Sequence, residues 1–107
     1  MHELHGLLFE WDSAKAARNL QRHRVSFEAA AHVLADPEGY KRHVTFYDEQ
    51  HSRTEDRFIT LGPVPARLSV LLTVVWTESE QAIRIISARR ATRAEEYRYA
   101  EETNPNR

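Results

Sequence analysis

The residues best suited to chemistry fall in one stretch, Ala82-Ile83-Arg84-Ile85-Ile86-Ser87-Ala88-Arg89-Arg90-Ala91-Thr92-Arg93. Residues 84–93 hold Arg84, Arg89, Arg90 and Arg93 with no acid among them. The β-branched first half predicts a strand, and Thr92-Arg93-Ala94-Glu95 predicts a capping box that opens a helix. A strand that leaves a sheet at a helix N-terminus supplies unpaired amides. Guanidinium groups beside those amides complete what a phosphate needs. A solvated, inert strand end is the plainer alternative. Arg84 lies mid-strand among apolar neighbours, so it either reaches solvent on the less covered face or pairs with an acid such as Glu10 or Glu55.

A second basic segment precedes it. Residues 15–24 hold Lys15, Arg18, Arg22 and Arg24, again with no acid. Lys15, Arg18 and Arg22 have the i, i+3, i+7 spacing of one helix face. His23 falls at that helix's end with an intrinsic pKa of about 6.5, the range useful for proton transfer; a cap or a surface group is the other reading. The six histidines show no metal-ligand spacing, and only His2 and His5 are close together. No metal or cofactor is expected. Gly6, Gly39 and Gly62 are isolated, which excludes a glycine-rich phosphate loop, and there is no serine-nucleophile elbow.

The elements that must position these groups can be read from periodicity. Residues 7–11 predict a short strand, and Asp12 is placed to cap a helix over 13–23 whose buried face is Ala16, Ala17 and Leu20. Ser26 caps a second helix with Phe27, Ala30, Ala31 and Leu34 as its buried stripe. Asp36-Pro37-Glu38-Gly39 ends it. Strands follow at 42–46, 57–61 and 68–77, with a charged loop over 48–55 and a turn over 63–66. Residues 68–77 are nearly continuously apolar and predict a central strand buried on both faces. A loop at 78–81 leads to the last strand, 82–88. The final helix runs to about Glu102, and 103–107 is expected to be a loose tail.

The order β-α-α-β-β-β-β-α predicts an α+β fold: a small antiparallel sheet with a helical hairpin on one face and a C-terminal helix. A length of 107 residues fits a single domain, 1–107, with its core at about 7–102. The net charge of −1 does not by itself announce a nucleic-acid partner, but two acid-free basic segments can still present a basic patch. Arginine outnumbers lysine 13 to 2, which favours bidentate phosphate binding, although a GC-rich genome would give the same ratio. The absence of cysteine, a start without the basic-then-apolar pattern of a leader, and apolar runs too short for a bilayer all point to a cytoplasmic protein without a membrane partner.

Several of these residues also form a known pattern. Phe9-Glu10-Trp11-Asp12, Lys15, Asn19, His23, Val25-Ser26-Phe27-Glu28 and Ala30, then Arg57 and Gly62, then Arg84 to Thr92, and finally Glu96-Tyr97 resemble the BrnT toxins of type II toxin–antitoxin systems. The resemblance spans about residues 7–100. It implies a RelE-like fold and metal-independent endoribonuclease activity that inhibits translation and arrests growth. It also implies RNA as substrate and a ribbon-helix-helix antitoxin as partner, through which operator DNA would be reached indirectly. Leu4, Leu7 and Leu8, or the helix with Tyr97 and Tyr99, are candidate surfaces for that partner. The resemblance makes Arg57, Arg89 and Arg90 phosphate holders with Lys15 in support. His23 becomes the proton-transfer group, ahead of Glu55 or Tyr97, and Arg22, Arg84, Arg93 and Tyr97 become RNA contacts. The alternative is an inactive relative that acts only as corepressor with the antitoxin on operator DNA. One departure stands out: the family usually has His-Gly-Val after the first helix, and here Arg24 takes the glycine's place. Either the turn closes differently or arginine bears about 1 kcal/mol of strain.

Overall fold

The structure, a computed structural model, describes residues 1–104. Its six strands are β1 (His2–Leu4), β2 (Leu7–Glu10), β3 (Val44–Tyr47), β4 (Arg57–Val64), β5 (Arg67–Glu78) and β6 (Ile83–Arg90). Four helices complete it: α1 (Ser13–His23), α2 (Phe27–Leu34), α3 (Gly39–Arg42) and α4 (Arg93–Thr103). They form an α+β fold with one sheet in the order β1-β2-β6-β5-β4-β3. The predicted order of elements holds, with two additions. The start of the chain forms a hairpin with β2 through the left-handed pair His5 and Gly6 (φ 50° and 84°). The short α3 fills the expected connection after Pro37.

The sheet is not wholly antiparallel. β2 joins β6 in parallel, through Phe9↔Ile83 and Glu10↔Arg84, because α1 and α2 carry the chain away before β3 begins at the far edge. β4 also runs past the expected stop at Gly62, through Pro63 to Val64. Pro63 is tolerated because β3 begins at Val44, opposite Leu61, so this part of β4 has a partner on one side only. The Cβ of an alanine at Gly62 would come 2.8 Å from Val33 Cγ1 and 2.9 Å from His43 Cδ2. Gly62 is therefore a packing requirement of the hairpin against the sheet.

β5 is central, as its apolar run predicts, and separates two layers. On one face Leu72 and Val74 join Phe9, Ile85 and Ala88 beneath Val25, Phe27, Ala30, Ala31 and Val33. This is the helical hairpin's side. Thr73 lies between Leu72 and Val74 and so points to the other face. There its hydroxyl donates to Glu95 of α4 at 3.0 Å. α4 thus lies opposite the hairpin, fixed by the predicted capping box, in which Thr92 Oγ1 accepts from Glu95 N (3.1 Å) and Glu95 Oε1 accepts from Thr92 N (2.8 Å). Farther along, the Arg98 guanidinium rests 3.9 Å from the Phe46 ring. Of the tail expected at 103–107, Thr103 still belongs to α4, and the last three residues lie outside the described ones. Among the described residues, no helix is long and apolar enough to cross a membrane.

Candidate nucleic-acid interface

α1 begins where Asp12 accepts the N–H of Lys15 at 3.0 Å. That bond, the N–H of Ala14 and the charges of Lys15 and Arg18 together hold the Asp12 carboxyl below its ordinary range, against a desolvation effect that opposes them. Of the expected apolar stripe, Ala16 packs against the core while Ala17 and Leu20 are exposed. Leu20 is 49% exposed, and the buried residue of α1 is instead Asn19, 8% exposed. The cause lies at the edge of β6. Beyond Glu10↔Arg84 no strand among the described residues runs along the edge of β6 away from β5, so the backbone groups there need partners. Asn19 provides them. Its Nδ2 donates to Ala88 O (2.7 Å) and its Oδ1 accepts from Ala88 N (3.2 Å), as a neighbouring strand would. The same Nδ2 donates to Val25 O at 3.0 Å and so fixes the turn into α2. A leucine could do none of this.

That turn is closed by Arg24 in the left-handed conformation (φ 60°, ψ 25°), with its N–H donating to Leu20 O at 2.9 Å. Of the two outcomes foreseen for the missing glycine, the turn keeps its geometry and arginine takes the strain.

β6 then adds an irregularity. Ser87 stands opposite Val75 and Ile85 opposite Trp76, so Ile86 is an unpaired bulge residue. The core residues Ile85 and Ala88 are consequently three apart rather than two, and Ile86 and Ser87 are both left out of the core. They form the β6 wall of a hollow of about 190 Å³ whose other lining is Lys15, Arg18, Asn19, Arg22 and His23 from α1. No acid lines it. Lys15, Arg18 and Arg22 form no ion pair among the described residues.

The other cations named from the sequence are differently placed. Arg84 pairs with Glu10 at 3.3 Å, which decides between its two possible acids. Glu10 also accepts from the Ser79 hydroxyl. Arg57, Thr77, Arg84 and Glu10 make one cross-strand row, in which Arg57 reaches Glu55 at 3.5 Å and its Nε is buried without a hydrogen bond. Arg89 belongs to the row of Thr73 and Leu61, four residues or roughly 13 Å along the strand from Arg57. Arg89 binds Glu95 through both terminal nitrogens, at 2.7 and 2.9 Å, and this carboxylate hydrogen bond raises the Arg89 pKa. Burial alone would push Glu95 up. The bonds from Arg89, Thr92 N and the Thr73 hydroxyl, with the Arg89 charge, outweigh it and hold the carboxyl at about 2.

Arg89 and Arg90 are adjacent in a strand and point to opposite faces, so they do not flank a single phosphate from one side. Arg90 and Arg93 are exposed and without an ion pair among the described residues, and Tyr97 is exposed on α4. The structure thus gathers Lys15, Arg22 and His23, together with Arg18, and spreads Arg57, Arg84, Arg89, Arg90, Arg93 and Tyr97 over the two faces of the sheet. Sequence reasoning missed Ile86 and Ser87 as part of the site, because a bulge between apolar residues has no local signature. Asn19 stands out in the sequence only as part of the family pattern. A polar residue at a helix's inward spacing was the signal available.

A small α+β protein with an acid-free hollow between a cationic helix face and a strand edge is equipped to hold an anion. Comparison with known proteins makes this specific. Residues 11–95 match the family described as the ribonuclease toxin, BrnT, of type II toxin–antitoxin systems, and the chain belongs to that family. Among solved structures it resembles the 1.1 Å crystal structure of the Brucella abortus ribonuclease toxin BrnT, with a TM-score of 0.60 and 18% identity over 81% of this chain and 99% of that one. At that identity the likeness establishes the shared fold. No curated protein matches the chain.

Proposed function

We propose that this protein is an endoribonuclease toxin that cleaves RNA without a metal, inhibits translation in the cytoplasm and is neutralised by a ribbon-helix-helix antitoxin. The observation that carries the reading is the hollow of Lys15, Arg18, Arg22 and His23, where three cations with no ion pair face a site without a carboxylate. Cations held in such a site stabilise the charge of a phosphorane.

The reaction follows from those groups. The ribose 2′-hydroxyl attacks the adjacent phosphorus, His23 takes its proton, and a new O2′–P bond forms as the P–O5′ bond breaks. A proton returned to O5′ completes the departure of the 3′ fragment. Lys15 and Arg22 hold the non-bridging oxygens. Arg90, about 10 Å beyond Ser87 along β6, together with Arg93 and Tyr97 on α4, contacts flanking RNA. Arg57, Arg84 and Arg89 serve as outer contacts, each having to exchange a carboxylate for a phosphate. The antitoxin is proposed to cover apolar surface near Leu7 and Leu8, which are 41% and 36% exposed, and to bring the complex to operator DNA.

Expression of the chain alone tests the reading. Growth arrest with RNA decay, lost in His23→Ala and Lys15→Ala and suppressed by co-expression of the neighbouring gene's product, is the expected result. Harmless accumulation of folded wild-type protein that still co-purifies with that product would favour the corepressor reading instead.

A further inference from the structure

Ser87 is the one hydroxyl-bearing residue that lines this hollow. It is half-buried and has no hydrogen-bond partner among the described residues. Its oxygen is not among the fully buried polar atoms, so it stays accessible to a ligand that enters the hollow. Its position is not accidental to the backbone. The bulge at Ile86 takes Ser87 out of the core while Asn19 clamps the next residue, Ala88, by two hydrogen bonds. Ser87 is thus the residue between an irregular step and a fixed point, directly across the hollow from Lys15, Arg18 and Arg22.

We propose that Ser87 is a substrate-contacting residue: its hydroxyl donates to a non-bridging oxygen of the RNA phosphodiester held by Lys15, Arg18 and Arg22, while Ile86 gives the adjoining sugar an apolar wall. The inference rests on the RNA-cleaving reading of this hollow and adds to it the neutral donor that fixes the phosphate's orientation. Cations alone attract an anion from many directions, whereas a single hydroxyl on a rigid strand selects one. At about 190 Å³ the hollow lies below the roughly 300–1,000 Å³ of pockets for whole small molecules, which suits a phosphate entering from a chain that continues outside.

The test measures binding of a short single-stranded RNA carrying 2′-O-methyl groups, which blocks cleavage, by fluorescence anisotropy from 50 to 200 mM KCl. Ser87→Ala should weaken binding about 5- to 10-fold at every salt concentration, with an unchanged slope of log Kd against log salt, because no charge is removed. Lys15→Ala should instead flatten that slope by about 0.7. Ser87→Thr, which restores the hydroxyl on a strand-favouring side chain, should recover the lost affinity. Unchanged affinity in Ser87→Ala would overturn the proposal and leave the RNA reading intact. A loss accompanied by a flattened slope would also overturn it, since displaced cations would then be the cause. Absence of RNA binding by the wild type would overturn both. Thermal melting of Ser87→Ala at the wild-type temperature checks that the fold is unaffected.

Discussion

Two residues of the α1–α2 junction act through opposite kinds of chemistry. Arg24 holds a positive φ that a Cβ makes costly, so Arg24→Gly should stabilise the protein by about 0.5–1 kcal/mol, measured by urea denaturation. If the stability falls instead, arginine contributes something at this position beyond the turn. Asn19 is the converse case, a polar group whose loss uncovers others. Asn19→Ala leaves Ala88 N, Ala88 O and Val25 O without their side-chain partner in a buried place. The expected cost is about 2–4 kcal/mol, and Asn19→Leu, although apolar and helix-favouring, should not restore it. A melting temperature for Asn19→Leu at or above wild type would show that β6 does not need its edge satisfied. Gly62→Ala belongs with these, and its clash with Val33 and His43 should cost about 1–3 kcal/mol in the same denaturation experiment.

At the scale of elements, α4 and β6 show how position changes the meaning of a charge. α4 buries no residue fully, and Glu95 is its hydrogen-bonded tie to the sheet, beside the Arg98–Phe46 contact. The Glu95 carboxyl stays ionised down to about pH 2, whereas in the unfolded chain it protonates near 4.5. A depressed native pKa gives stability that is fully present above the unfolded value and is lost as pH falls towards the native one. The protein should therefore lose stability between about pH 4.5 and 2. Glu95→Gln should start less stable at neutral pH and show a shallower decline across that window, as followed by thermal melts. An equally steep decline in the variant would assign the acid sensitivity to other carboxylates. The same contact explains why Arg89, the residue most suggestive of phosphate binding in the sequence, is already occupied. The β6 bulge has the opposite consequence, turning Ile86 and Ser87, inconspicuous in the sequence, into the wall of the hollow.

Across the whole molecule, the balance between 15 basic and 16 acidic side chains conceals an uneven distribution. Lys41, Arg42, Arg57, Arg84, Arg89 and Arg98 have a carboxylate within ion-pair distance, while Lys15, Arg18, Arg22, Arg24, Arg53, Arg67, Arg90 and Arg93 have none among the described residues. The second group can meet a nucleic acid without first giving up a carboxylate, and on α1 it is gathered on one helix face. Replacing Lys15, Arg18 and Arg22 together by glutamine should abolish toxicity on expression of the chain alone and leave the melting temperature nearly unchanged. Replacing Arg84 should do the reverse, lowering stability through the uncovered Glu10 more than it lowers activity. Retained toxicity in the triple variant would move the site away from α1.

Much of this architecture was legible beforehand because it depends on neighbours in sequence. Asp12, Ser26 and Thr92 cap the helices they were expected to cap, since a cap is a bond to an amide two or three residues away. The nearly continuous apolar run at 68–77 placed β5 in the middle of the sheet, since such a run needs cover on both faces, although Leu68 and Ser69 at its start are exposed. The two acid-free basic segments were likewise visible in the order of residues alone. What the sequence could not decide were the pairings between distant residues. Arg84 with Glu10, Arg89 with Glu95, and Asn19 with Ala88 each join parts of the chain through the packing of other elements, and the β6 bulge exists only relative to β5. The order of residues therefore determined which charges the protein carries and which elements carry them. The tertiary structure decided which charges are spent on carboxylates and which, on α1 beside Ser87, are left to meet a phosphate.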